Sequence, residues 1–238
     1  MNKRLTTRVK DIARRSGADL IGIARSESFS SAPKDHHPDD ILRGAKSVIV
    51  MAARLLDPSL EKAPSREYSI TYAVVNRELD RIAYQVARFL QDEGFRAVQV
   101  PASPPYDLAG MMGDLSHRHA GHLAGLGIFG KNNLLLSPEF GPRIRLVSVI
   151  TDASLAPDKP LIMDLCGDCA RCIDACPAKA LRANRLTDKR KCDEHHVQLG
   201  ERLQLDDWME ACGVCLRVCP VGRKKTAARP ARGRKSLL

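Results

Sequence analysis

Every cysteine of the chain, eight in all, falls between Cys166 and Cys219. Cys166, Cys169, Cys172 and Cys176 follow one another as C-x2-C-x2-C-x3-C, with Pro177 directly behind. A tight loop with that spacing turns three successive sulfurs onto three corners of one iron-sulfur cubane and carries the fourth to a neighbouring cluster. A second run is shorter. Cys212, Cys215 and Cys219 keep C-x2-C-x3-C ahead of Pro220, and the isolated Cys192 is the one thiol left to complete it. The eight therefore divide into Cys166, Cys169, Cys172 and Cys219 for one 4Fe-4S cluster, and Cys176, Cys192, Cys212 and Cys215 for a second. Clustered thiols in a reducing compartment favour metal ligation over disulfides. Paired C-x2-C elements also suit tetrahedral zinc, but the x2-x2-x3 spacing closed by proline belongs to iron-sulfur chemistry.

Such a bacterial-ferredoxin-like module is a short electron wire, and about 160 residues precede it, far more than the wire needs. Hydrophobic periodicity predicts a helix over 5–16 and a strand over 19–24, with Gly17 breaking between them. Ser47 to Ala53 reads as a more apolar strand. Leu79, Ile82, Val86, Phe89 and Leu90 mark a helix over 72–93, which Gly94 ends as a C-cap glycine. A strand over 96–100 and a proline-rich stretch, 101–105, close that unit. A helix over about 114–123, a glycine-rich turn over 125–130, and strands over 134–136 and 144–151 follow. Strands alternating with helices predict an α/β (α+β) layered architecture. The composition changes near Asp158 to Leu161, giving an α/β domain over 1–158, a two-cluster module over 159–222 and a basic tail over 223–238.

Apolar residues make up 44 % of the 238, enough for an ordinary core. No stretch approaches the roughly 18 apolar residues of a membrane span. The N-terminus is basic and polar, and Arg14-Arg15 is followed by Ser-Gly-Ala-Asp rather than an apolar run, so no export signal is expected. The reading is a cytoplasmic protein with no membrane partner. Of the net charge of +10, much comes from Arg223, Lys224, Lys225, Arg229, Arg232, Arg234 and Lys235, a tail without an acidic residue. Its composition fits a solvated segment; a nucleic-acid contact is the alternative.

The richest stretch of the leading domain is 114–132. Gly125, Gly127 and Gly130 satisfy G-x-G-x-x-G, but they follow a predicted helix instead of a strand, and no acidic residue stands about 20 positions further on as a dinucleotide site requires. The glycines are expected to let backbone approach a large flat ligand or a cluster. His117, His119 and His122 are candidate cofactor-lining or ligand residues. Tyr106 and Asp107 are candidate proton donors to the same pocket, with loop positions as the alternative.

Ala-Gly-Leu-Gly-Ile-Phe-Gly-Lys-Asn over 124–132, Glu-Phe-Gly-Pro-Arg-Ile-Arg-Leu over 139–146, Val-Ile-Thr-Asp over 149–152 and the cysteine pattern together resemble the epoxyqueuosine reductases and the related reductive dehalogenases. The resemblance extends to the strands at 18–24 and 46–50 and covers the chain to about Gly222. It implies a flavin-reductase-like α/β domain that binds cobalamin base-off, with two clusters reducing its cobalt. It places Gly125, Gly127, Gly130, Lys131 and Asn132 on a corrin-contacting turn. Electrons would come from a ferredoxin or flavodoxin and serve a small-molecule substrate, with Tyr106, Asp114 or His117 supplying the proton. A tRNA-acting epoxyqueuosine reductase using the basic tail is one alternative; an electron-transfer protein without substrate chemistry is another. The chain departs from the tRNA-acting members where they carry an acid and a glutamate, which here align with Met111 and His117. The reading is a short form, expected to lack their C-terminal helical repeat domain.

Overall fold

The computed structural model describes residues 1–103, 111–184, 186–206 and 212–223. Helix α1 (Lys3–Arg15) is capped by Asn2, whose side chain accepts from the Leu5 backbone N–H at 2.9 Å. Its buried stripe is Leu5, Val9 and Ala13. Strands β1 (Leu20–Arg25), β2 (Ser47–Arg54), β3 (Ala97–Val100) and β6 (Ile144–Thr151) form one sheet in the order β1-β2-β6-β3. All three pairings are antiparallel. Among the described residues the alternation of helices and strands thus yields layers but no parallel crossover unit. β1 is joined to its neighbour β2 by residues 26–46, which hold two short turns, a 3₁₀ turn at Ser26–Phe29 and α2 (Pro38–Ile41), in place of the long helix that usually makes a parallel crossover.

The two central strands are buried along almost their whole length, because both faces of the sheet are covered. α1 and the long α4 (Arg66–Asp92) close one face over Ile49, Met51, Leu79, Ile82, Val147 and Val149. α5 (His117–Leu123) and the hairpin β4 (Ile128–Phe129) and β5 (Leu135–Leu136) close the other over Val48, Val50, Ala124, Leu146 and Ile150. α4 starts six residues earlier than its apolar spacing predicts. Ser65 caps it, and its first turns bury Tyr68 and Tyr72 with Leu55 and Leu60 beside the short α3 (Asp57–Glu61), a satellite core that partly buried Leu216 joins. That contact lies outside the sheet, so sheet-directed periodicity does not reveal it. Among the described residues no helix is long and apolar enough to cross a membrane.

Asp158 ends the sheet layer firmly, accepting from Lys10 Nζ at 2.7 Å and from the Ile23 N–H at 2.9 Å. Among the described residues, the helices of the cysteine-bearing segment beyond it are α6 (Arg171–Asp174), α7 (Lys189–Leu203) and α8 (Val214–Arg217). It docks through an interlock of two glycines. Gly141 and Gly222 have φ of 57° and 70°, and a Cβ on Gly222 would lie 2.2 Å from the Phe140 carbonyl carbon and the Gly141 nitrogen. Both backbones therefore approach too closely for any side chain. Gly222→Ala is expected to cost on the order of 2 kcal/mol and to lower the thermal midpoint by roughly 4–8 °C. Gly200→Ala, inside α7 with open space around it, is expected to be neutral or slightly stabilising. Differential scanning fluorimetry of both variants measures the contrast.

Candidate iron-sulfur centre and its acceptor face

The loop that begins the cysteine module is turned by local bonds. The Cys166 N–H donates to Asp164 Oδ1 at 3.0 Å, the Cys169 N–H donates to the Cys166 carbonyl at 2.9 Å, and Gly167 takes φ of 46° between them. These bonds turn the loop so that Cys166, Cys169 and Cys172 line one cleft, and Cys219 enters it from the far end of the module. Lys131 and Asn132, from the leading domain, form another part of its wall. Cys219 is delivered by the return after α8. Arg143, only 5 % exposed, holds that return by donating to the carbonyls of Cys219 and, at 2.6 Å, Val221.

The electrostatic neighbours of the thiols fall into the same groups. Burial, then Cys219 and Cys166, raise the pKa of Cys172. Burial raises that of Cys219 too, with smaller upward pushes from Cys166 and Cys169 and downward ones from the Val221 N–H and Arg143. Cys215 is pushed well above an ordinary thiol by burial, then by Cys212, Cys192, Cys172 and Cys176. Three of those four belong with Cys215 in the second set; the fourth, Cys172, belongs to the first, so the two sets adjoin. Thiols crowded in this way repel as thiolates until cationic iron offsets their charge. Among the described residues no three His, Cys, Asp or Glu side chains converge closely enough for a single metal ion. A zinc tetrad would bring its sulfurs to about 4 Å of one another, whereas thiols ringing a cavity suit the corners of a cubane.

The candidate residues of the leading domain separate. Tyr106 and Asp107 lie outside the described residues. Asp114 is exposed ahead of α5, and its carbonyl accepts from His36 Nδ1 at 3.2 Å. His117 is enclosed at the N-terminus of α5. Its Nε2 faces the Pro101 carbonyl at 2.8 Å, which can only accept, so the proton sits on Nε2 and Nδ1 accepts from the Ser148 hydroxyl at 2.8 Å. Burial presses its pKa down to about 4, against the raising effect of the Pro101 bond and helped by the Arg145 charge. His117 is therefore a neutral imidazole at pH 7 with both nitrogens engaged.

His119 and His122 do not converge on a common point. Each ring lies against Phe129, with centroids at 4.7 and 5.9 Å, and their Nδ1 atoms meet Ser116 Oγ and the Gly127 carbonyl. The three glycines approach protein on the side a Cβ would take. At Gly125 it would meet the Lys159 carbonyl at 2.4 Å, at Gly127 the Leu136 carbonyl at 2.3 Å, and at Gly130 the side chains of Asn132 and Leu136 at 2.7 Å. Chain-on-chain packing thus accounts for these glycines, which spacing alone reads as room for a ligand. Lys131 Nζ donates to the Gly167 carbonyl at 2.8 Å, tying the turn to the first cysteine loop. Arg143 and the Lys131 contact are invisible in one dimension, since 76 and 36 residues separate their partners. A cation within a Gly-Pro-Arg turn was the available signal for Arg143.

Residues 165–222 match the family described as a 4Fe-4S double cluster binding domain. Epoxyqueuosine reductase of Bacillus cereus is 32 % identical over 202 residues, covering 79 % of this chain and 51 % of the relative. Tetrachloroethene reductive dehalogenase of Dehalobacter restrictus is 30 % identical over 196 residues, covering 76 % and 34 %. The chain thus spans about half the length of the first and a third of the second. Among solved structures, an epoxyqueuosine reductase bound to an epoxyqueuosine-modified tRNA-Tyr stem loop shares the fold with a TM-score of 0.63 and 23 % identity, over 92 % of this chain and 65 % of that one. A catabolic reductive dehalogenase does so with a TM-score of 0.75 and 23 % identity, over 94 % and 33 %.

Proposed function

We propose that this homologue of the epoxyqueuosine reductases and the reductive dehalogenases, with its 4Fe-4S double-cluster domain, is a cobalamin-dependent iron-sulfur reductase fed by a ferredoxin or flavodoxin. The observation that carries the reading is the shared wall of the first cysteine cavity, where Lys131 and Asn132 of the leading domain face Cys166, Cys169, Cys172 and Cys219. A cluster held there abuts the domain that would receive its electrons. We divide the chain accordingly into an acceptor domain to Asp158, a two-cluster domain over 159–222 and a basic tail.

Each cysteine set suits a cubane by donor type and number, and the first set also lines one cavity. For a corrin, the supporting feature is the half-buried Phe129 ring with exposed His119 tilted against it at 50°, an aromatic surface adjoining Lys131 against which a macrocycle can pack. Cobalamin bound there would supply a strongly reducing, nucleophilic cobalt centre. The turn over 125–132 would present backbone to it, and Asn132, buried and accepting from the Leu134 N–H at 3.2 Å, would hold that turn rigid. We assign proton delivery to Tyr106 or Asp114. His117, neutral and engaged at both nitrogens, orients the start of α5 through Ser148 and Pro101 rather than donating.

The second reading is an epoxyqueuosine reductase acting on tRNA, favoured by the relatives of that name. One experiment separates them. Anaerobic reconstitution with iron, sulfide and hydroxocobalamin is expected to give a brown protein that retains cobalt through gel filtration. A protein that takes up iron but no cobalt refutes the corrinoid reading. Turnover of an epoxyqueuosine-modified tRNA stem loop by the loaded protein decides for the second reading over a small-molecule substrate.

A further inference from the structure

We infer that Lys131 sets the reduction potential of the first cluster, making the acceptor domain itself the regulator of the electron it receives. The inference deepens the proposed function and rests on its cluster assignment. Lys131 projects from the turn after β4, crosses to the cysteine module and donates to the Gly167 carbonyl at 2.8 Å, between Cys166 and Cys169. It also lines the cavity that these thiols share with Cys172 and Cys219. Its ammonium is thereby fixed at the edge of a cluster whose four thiolates make it anionic. Arg143 adds a second cation from the same domain. Its guanidinium is buried against the carbonyls of Cys219 and Val221, and its nearest carboxylate, Asp57, is 3.9 Å away and half exposed.

Reduction adds one electron to the cluster, and net charge and hydrogen bonding around the sulfurs are what set a cluster's potential. A fixed positive charge at contact range stabilises the reduced form more than the oxidised form, and at a partly buried site it is screened less than a surface charge. Arg171, the other cation at this cavity, is solvent-exposed and counts for less. Lys131 therefore positions the cysteine loop and favours arrival of the electron at the cluster that faces the acceptor domain.

The test compares wild type, Lys131→Gln and Lys131→Arg after anaerobic reconstitution, by iron and sulfide content and by potentiometric titration followed with EPR. Gln keeps a hydrogen-bond donor and removes the charge; Arg keeps both. The expected result is unchanged iron content in all three, with one of the two midpoints more negative in Lys131→Gln, the other unmoved, and both near wild type in Lys131→Arg. Unmoved midpoints in Lys131→Gln, an equal shift of both, or an equal shift in Lys131→Arg would each overturn the assignment. So would loss of iron from Lys131→Gln, which marks a purely structural role. A wild-type protein that binds no clusters sinks the cluster reading itself, a result separable from all of these.

Discussion

Cys192→Ser, reconstituted anaerobically, is expected to hold about four irons where the wild type holds about eight, by the count of four per cluster. Cys192 lies in the first turn of α7, twenty residues from Cys212 and sixteen from Cys176, and belongs to neither compact cysteine run. It nevertheless acts electrostatically on the thiol of Cys215 together with Cys212 and Cys176. Serine leaves that corner with a hard, protonated oxygen in place of a thiolate, so the second cluster is lost. The cavity of Cys166, Cys169, Cys172 and Cys219 contains no part of α7, and the first cluster is expected to stay, with about half the absorbance near 400 nm. Cys219→Ser should remove the other half and leave the second cluster in place, while the Arg143 bonds to the Cys219 and Val221 carbonyls, which are backbone contacts, persist. Full iron retention in Cys192→Ser would show that the second cluster has a different fourth ligand.

Acid is expected to weaken the leading domain through His117. The folded-state pKa is about 4, below the unfolded value near 6.5, because burial and the Arg145 charge disfavour the imidazolium. The unfolded chain therefore binds more protons between those values, and stability falls as pH drops. The contribution is complete above about pH 7 and declines through the window from about 6.5 to about 4. From pH 7.5 to pH 5 the loss is about 2 kcal/mol, and it reaches about 3 kcal/mol below pH 4. Clusters are themselves acid-sensitive, so the informative quantity is the difference between wild type and His117→Gln. Denaturant midpoints of the two proteins should lie well apart at pH 7.5 and draw together by pH 5. A constant difference would mean that His117 does not titrate with folding.

Much of the site is legible along the chain because its ligands are local. Cys166 to Cys176 span a single loop and turn, so their spacing alone dictates which sulfurs can share a cubane, and the proline after each run marks where the backbone stops closing. Element positions follow from periodicity where an element buries one face against the sheet, as α1, β2 and β6 do. Prediction falls short where burial has another cause. α4 begins early because Tyr68 and Tyr72 bury against a second, smaller core. Gly125 and Gly127 satisfy a ligand-binding pattern, yet they are glycine because the backbones of Lys159 and Leu136 lie within 2.4 Å of where a side chain would be.

The iron-sulfur cofactor class was thus legible in the sequence alone, and the proposed division of the thiols into two sets starts from it, since thiol chemistry and the short-range geometry of each cysteine run need no knowledge of the fold. What only the tertiary structure decided is the antiparallel order of the sheet, the neutral state of His117, and the reach of Lys131 and Arg143 across to the first cysteine cavity. These depend on contacts between residues far apart in the chain, and on the desolvation that such contacts bring, neither of which any local spacing encodes.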